Sequence, residues 1–324
     1  MSDQLTLAPS NELKSVETSI EGLKSLYFDE TAIREVDYTL YRLDSSGLRF
    51  YYTLDKDFNP EFFVSVTSKN DVVIPKGYGF HKWLASNNEE ESEFIKESRA
   101  CYGSMMHNEM AKLLIDRKYD LDLVPGLVAH TAMANGFIGL TKSWTIELYK
   151  DLLAFAQFIK EKDVVPVAVE LMLRSIQYVY AGSIDLVCEM NFGRGRVRAI
   201  VDFKSSKKGN FYENHEVQLV DYKRMWNENF PDWRVTHSFN YSPNDWRTKP
   251  TYKLKNQTDA CSVEKADNYL ALFKDKKESD NLSPKDVLMV GGVIDLNESI
   301  DGLYAVKTAS EFIKEQNESN KEKS

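Results

Sequence analysis

Residues 36–43 and 48–54 are rich in β-branched and aromatic side chains and flank Asp44-Ser-Ser-Gly47, which predicts a β-hairpin. A strand follows Pro60 over residues 62–67, and a short helix is expected near residues 13–26. Residues 79–84 are aromatic-rich, and residues 87–96 form an acidic helical stretch leading to Gly103-Ser-Met-Met-His107 and a helix through Leu114. The clearest amphipathic helix is 144–160. There Leu148, Leu152, Phe155, Ala156 and Ile159 gather on one side, with Glu147, Lys150, Asp151 and Lys160 off that stripe. Strands are then predicted at 164–171, which carries Glu170, and at 177–189 and 197–205. A helix at 213–229 is stopped by Pro231, and residues 234–241 alternate Val235, His237, Phe239 and Tyr241 with polar residues, as a half-buried strand would. Residues 262–277 read as helix, 287–296 as a final strand pair and 310–324 as a charged, frayed tail.

From residue 144 onward the order is helix, three strands, helix, strand, which specifies an α/β domain with a mixed central sheet flanked by helices. The division expected is an N-terminal extension with the β-hairpin (1–60), a core (61–245), a C-terminal accessory segment (246–309) and a polar tail (310–324). The chain's 324 residues suffice for a substantial core. No apolar run approaches the roughly 20 residues needed to span a bilayer, so no membrane partner is expected. The start, Met-Ser-Asp-Gln-Leu-Thr-Leu, lacks a basic stretch followed by an apolar one. No secretory signal is read there, and a cytoplasmic location is expected. The formal charge of −9 argues against indiscriminate coating of nucleic acid. Residues 190–259, however, hold 13 Lys and Arg against 8 Asp and Glu. A locally basic face of that kind is compatible with a transiently held polyanion, or with an ordinary solvated surface.

That basic segment contains the second acid and the lysine of the candidate chemistry. Tyr180-Ala-Gly-Ser-Ile-Asp-Leu-Val187 carries Asp185 in an apolar strand, and Val201-Asp-Phe-Lys-Ser-Ser206 carries Asp202 and Lys204 two residues apart. Strand side chains alternate, so Asp202 and Lys204 share a face with Ile200 and Arg198, while Val197, Ala199, Val201 and Phe203 form the other. Asn191-Phe-Gly-Arg-Gly195 can fold the two strands into an antiparallel hairpin, bringing Asp185 beside Asp202. Two carboxylates and a lysine there can hold a hard divalent cation and a nucleophilic water. Taken singly, each has a blander reading, Asp202 and Lys204 as a solvent-facing charge pair above all. A strand otherwise made of Val, Ile and Phe makes an unpaired charge expensive and weighs against it.

With Gly103/His107 upstream, Glu170 on the preceding strand, Gly182/Asp185, Asp202/Lys204 and Gln218/Tyr222 on the following helix, the chain resembles the PD-(D/E)XK nuclease superfamily. The most similar branch is that of RecB-like domains and phage exonucleases, and residues 63–68 followed by His81-Lys-Trp83 look like the opening of its phage members. Each motif is weak and their order is the signal. The resemblance covers roughly residues 62–245 and implies a restriction-endonuclease-like fold with an N-terminal β-hairpin and C-terminal extensions. It also implies a metal-dependent deoxyribonuclease, an exonuclease before an endonuclease, acting in phage-type replication, recombination or genome processing.

Under that resemblance Mg²⁺ or Mn²⁺ is held by Asp185, Asp202, the main-chain carbonyl of Phe203 and the imidazole of His107. Lys204 orients or deprotonates the attacking water, Glu170 holds a water or a second metal, and Gln218 and Tyr222 bond the phosphate or Lys204. Cys101, Cys188 and Cys261 are too few and too scattered for the iron–sulfur cluster of some relatives, so none is expected. The partner implied is DNA, single- or double-stranded. Homo-oligomers or phage replication and recombination proteins stay open, as do a structure-selective endonuclease and a nucleic-acid-binding module that has lost catalysis. The proline of the superfamily's name is replaced by Gly182-Ser-Ile, and no G-x-x-x-x-G-K-[ST] run is present, so ATP-driven translocation is not intrinsic. Residues 246–255, basic and aromatic, fit either base stacking with phosphate contacts or a lysine-protected edge strand. Lys207, Lys208, Lys223 and Arg224 offer further phosphate contacts.

Overall fold

Leu48 to Leu54 alternates well enough to form β4 (Leu48–Leu54), which pairs antiparallel with β3 (Tyr41–Ser45) on one side and β5 (Pro60–Ser65) on the other. The computed structural model describes residues 16–18, 26–45, 47–206, 209–291, 299, 301 and 303–323. The predicted hairpin is present with a shorter first arm. β5 stops at Ser65, whose hydroxyl accepts the Ser68 N–H at 2.9 Å and caps α1 (Val66–Val73), so the expected strand at 62–67 turns into helix two residues early. The helix expected near residues 13–26 is overturned at Val16–Thr18, which forms β1 and pairs with β3. Most of that stretch lies outside the described residues.

A helix α2 (Tyr78–Ser86) leads to α3 (Glu89–Asp116), a single 28-residue helix where the sequence suggested two pieces. Asn88 accepts the Glu91 N–H at 2.7 Å, and Glu89, Glu90 and Glu91 complement the helix dipole. Next come α4 (Val124–Ala134), which the sequence reading passed over, and α5 (Thr141–Lys162), the predicted amphipathic helix. The centre follows: β6 (Val165–Ser175), β7 (Tyr180–Phe192), β8 (Gly195–Phe203), α6 (Glu213–Asn229) and β9 (His237–Pro243). Gly193, at φ +62°, makes the two-residue turn between β7 and β8 possible. β10 (Tyr252–Asn256) and α7 (Val263–Ser279) close this part.

Two corrections belong to the C-terminal region. β11 (Val287–Val290) pairs with β12 (Tyr304–Lys307) rather than within residues 287–296, of which 292–296 lie outside the described residues. The expected frayed tail is α8 (Ala309–Lys323), and Ala309 and Ile313 are buried in the core.

Among the described residues ten strands form one mixed sheet in the order β1-β3-β4-β5-β7-β8-β9-β10, with β2 (Tyr27–Phe28) on β6 and β6 on β7. Apolar layers cover both faces. α1, α6, α7 and α8 contribute Val66, Tyr222, Trp226, Leu270 and Ile313 to one. α3, α4 and α5 contribute Met106, Val128, Leu152 and Phe155 to the other. As expected, Ile200 faces one layer while Ala199, Val201 and Phe203 face the other. β9 differs from expectation. It lies inside the sheet, parallel to β8 and covered on both faces, so Ser238, Asn240 and Ser242 are buried rather than solvent-facing.

The sheet forks at its centre. Ala181 pairs with Arg174 on one edge of β7 and Ser65 on the other, while Leu186 pairs with Val169 and Val201. Thus β5 and β8 occupy the same edge of β7 at opposite ends, and residues 182–185 lie between them. Side-chain alternation also reverses there. Tyr180 and Ile184 join Val187 in the first layer, and Leu186, Cys188 and Met190 join the second.

Candidate functional site

The register of four adjacent strands sets a polar row across this fork. Val169↔Leu186 and Leu171↔Ile184 bracket Glu170 opposite Asp185. The ladder of β7 and β8 ends at Leu186↔Val201, one step before Asp185 and Asp202, and Asp202 pairs with Asn240 of β9. Neighbouring strands run about 4.8 Å apart, so three carboxylates are brought together by backbone pairing alone. Glu170 has φ +50°, a left-handed conformation that costs about 1–3 kcal/mol in a non-glycine residue and that collects at functional sites.

Helices from both layers complete the cluster. α3 delivers His107, whose Nδ1 lies 3.6 Å from Asp185 Oδ1 and 3.9 Å from Glu170 Oε1. One ligand atom from each of these three residues lies within 4.8 Å of the others, so the group could hold a metal ion. α6 delivers Gln218 and Tyr222, one turn apart, with the Gln218 amide donating to the Tyr222 hydroxyl at 3.0 Å. Gly182 permits that approach, since a Cβ there would stand 3.1 Å from Tyr222 Cε1.

Asp185 Oδ2 accepts the Phe203 main-chain N–H at 2.6 Å, so Phe203 enters the site through its backbone. Asp202 is ringed by donors. Lys204 Nζ stands 3.1 Å from Oδ1 and 2.8 Å from Oδ2, Gln218 Nε2 donates to Oδ1 at 3.1 Å, and Asn240 Nδ2 donates to Oδ2 at 2.7 Å. Lys204 also donates to Gln218 Oε1 at 3.1 Å. Ser183 donates to Glu170 at 2.8 Å.

The electrostatics follow from this crowding. Burial and the Asp185 charge push Glu170 up to about 7. Burial opposes the charge on His107, but Asp185 and Glu170 outweigh it and raise its pKa. Burial works against Asp185 as well, yet His107, Lys204 and the Phe203 N–H hold its carboxyl below the usual range. Burial raises Asp202 despite Lys204. On the next turn of α6, burial and Lys204 push His215 down to about 3, keeping its ring neutral to accept the Tyr212 N–H.

His107, Glu170, Asp185, Asp202, Lys204, Gln218 and Tyr222 all line one cavity of about 470 Å³, with Arg49, Thr67 and Ser104 on its wall. The donor set fits a divalent cation: one imidazole nitrogen and carboxylate oxygens suit Mn²⁺ or Mg²⁺. The raised pKa of Glu170 marks an acid pair whose repulsion such a cation would relieve. The ligand atoms that cluster are those of His107, Glu170 and Asp185. The oxygens of Asp202, expected as a ligand, accept from Lys204, Gln218 and Asn240 in the metal-free protein.

Other expected contacts lie elsewhere. Arg224 bonds Asp267 and the Val263 carbonyl, and Lys223 bonds the Thr236 carbonyl. Lys207 and Lys208 lie outside the described residues. In the basic stretch at 246–255, Trp246 donates to the Lys150 carbonyl, and the Tyr252 ring packs against Phe158 and Tyr241. β10 is the edge strand there, and those two rings are engaged internally. Cys188 and Cys261 sit in opposite core layers. No helix among the described residues is long and apolar enough to cross a membrane. The sequence reading missed Asn240 and Ser183. The Asn240 signal was its place in a strand whose polar positions after Arg234 are the short side chains Thr236, Ser238 and Asn240.

No family model and no curated protein matches the chain. Among solved structures, a candidate exonuclease from Eubacterium rectale is similar at 12% identity and a TM-score of 0.25, over 50% of this chain and 66% of that one. The chain thus spans just under two thirds of that protein's length, and a likeness so slight carries no functional argument.

Proposed function

We propose that the chain is a metal-dependent deoxyribonuclease on a restriction-endonuclease-like core, hydrolysing phosphodiester bonds from a DNA end. One observation carries this reading. His107, Glu170 and Asp185 converge as a cation-binding group in the cavity where Lys204 is held between Asp202 and Gln218. The cation would be held by that group, with Asp202 and the Phe203 carbonyl as further oxygen donors, and would supply a Lewis acid and an acidified water. Lys204 places its Nζ at the cavity wall, where it can neutralise charge growing on a phosphoryl oxygen. Glu170, at about 7, can take or release a proton near neutrality in the metal-free protein. Gln218 and Tyr222 fix the direction from which Lys204 reaches the cavity.

The motif order shared with phage exonucleases favours attack from an end and a role in phage-type replication or recombination. The test is a time course on end-labelled single- and double-stranded DNA with Mg²⁺, Mn²⁺ or chelator. Cleavage should require the cation, and Asp202→Ala or Lys204→Ala should lower it at least about 100-fold with the fold intact. Full activity in both variants sinks the assignment. Closed circular DNA separates the two modes of cutting, because an exonuclease leaves it whole.

A further inference from the structure

Asn240 ends the polar row, and the chemistry above gives it no part. It is fully buried on β9, its Nδ2 donates to Asp202 Oδ2 at 2.7 Å, and Gln257 Nε2 donates to its Oδ1 at 3.0 Å. Gln257 is also buried, and its main-chain N–H donates to the Ser238 carbonyl.

The direction of each amide is dictated from Asp202 outward. An ionised carboxylate only accepts, so the Asn240 atom facing it must be the NH₂ group. The Asn240 oxygen then points at Gln257, which must turn its own NH₂ toward it. Gln257 Oε1 is left buried without a hydrogen-bond partner. An apolar side chain at residue 257 would instead leave the buried Asn240 Oδ1 without its donor, so Gln257 holds Asn240 in place while its own Oε1 goes unpaired. Asp202, in turn, has about four lone-pair directions. Gln218 takes one on Oδ1, Asn240 one on Oδ2, and the single Lys204 Nζ is shared between the two oxygens, which leaves room for a cation. The other two donors, Lys204 and Gln218, line the cavity, whereas Asn240 approaches from the buried side and is held there by Gln257.

We propose that Asn240, locked by Gln257, is a positioning residue that fixes the rotation of the Asp202 carboxylate and so the place from which Lys204 acts. The inference rests on the nuclease reading and adds two residues to it. Without the Asn240 donor, Asp202 can turn about its side-chain bond, and Lys204 loses the fixed anchor that directs it into the cavity.

The experiment compares wild type with Asn240→Ala, Asn240→Asp and Gln257→Leu. Steady-state cleavage of end-labelled DNA, thermal unfolding, and calorimetric titration of the metal-free protein with Mn²⁺ are measured together. Asn240→Ala and Asn240→Asp should lose roughly 10–100-fold in kcat with KM nearly unchanged and with a lower Tm, since each strands a buried polar partner, and Gln257→Leu should lose less in kcat with a smaller fall in Tm. An unchanged kcat in Asn240→Ala overturns the proposal. If both Asn240 variants unfold, Gln257→Leu decides: a lower kcat in the folded variant supports the role, and an unchanged kcat overturns it. A wild-type protein that cleaves no DNA sinks the nuclease reading separately. In that case Mn²⁺ affinity still reports on Asp202, where weakening in Asn240→Ala supports positioning and equal affinity overturns it.

Discussion

Glu170 combines two unfavourable features, a left-handed backbone and a carboxyl pushed from 4.5 to about 7 by burial and Asp185. A carboxyl whose folded pKa is raised stabilises the fold most while protonated. That contribution is complete below its ordinary pKa and is lost as pH rises toward about 7. His107 works in the same direction, since its charged form is the one the two acids favour. Asp185, held low, acts at the other end, losing its contribution only as pH falls into the acid range. The metal-free protein should therefore lose thermal stability as pH climbs from 4.5 to about 7, and Glu170→Gln should flatten that decline. Mn²⁺ or Mg²⁺ should raise Tm more above about pH 7 than near pH 5, since ligands must be deprotonated to bind. Thermal melts across pH, with cation and with chelator, check this. Equal cation shifts at both ends would rule out Glu170 and His107 as ligands. Asp185, Asp202 and Lys204 were legible because a strand of Val, Ile and Phe has no other use for charges. Asn240 was not, because an asparagine alternating with apolar residues reads as a solvent face unless the next strand is known to cover it.

Among the elements, α5 and α6 were legible from periodicity and from Pro231, and the β7–β8 hairpin from its glycine turn. The α1–α6 contact was not. Lys69 Nζ meets Asp221 Oδ2 at 2.5 Å with both side chains wholly buried, and the ammonium lies 5.4 Å from the centre of the Tyr180 ring. No spacing in the sequence relates two residues 152 positions apart. This pair joins the helix that starts beside the cavity to the helix that carries Gln218 and Tyr222, so its loss should reach the site through α6. Lys69→Met strands a buried carboxylate and should cost about 3–5 kcal/mol, whereas Lys69→Met with Asp221→Leu should recover much of that loss. Urea unfolding of the two variants decides. Equal destabilisation would mean that the charges are not coupled. The 28-residue α3 was read as two pieces for a different reason: its buried apolar residues are confined to the stretch from Tyr102 to Leu114, so no single apolar stripe runs through it.

Across the whole molecule, apolar burial joins segments that the sequence separated. The meander of β3, β4 and β5 extends the same sheet as β7 to β10, and α7 and α8 bury Leu270, Phe273, Ala309 and Ile313 in the layer that holds Tyr222 and Trp226. Lys314 donates to Asn59 at 3.2 Å, fastening the C-terminal helix beside the start of β5. A polar segment at the end of a chain reads as tail when, among its described residues, Ala309 and Ile313 are the ones buried against a core built elsewhere. If the layer is one cooperative unit, damage at α8 must be felt at α6. Ile313→Ala should destabilise by about 2–5 kcal/mol, the cost of a cavity left by a fully buried side chain. Trp226 and Trp233 lie in that layer and report its unfolding by fluorescence. One urea transition at a lower midpoint with an unchanged slope is expected in Ile313→Ala. A tryptophan midpoint equal to that of the wild type would make α8 an independently melting appendage. That helix would then be a separate unit rather than part of the wall that holds Gln218 and Tyr222 against the fork.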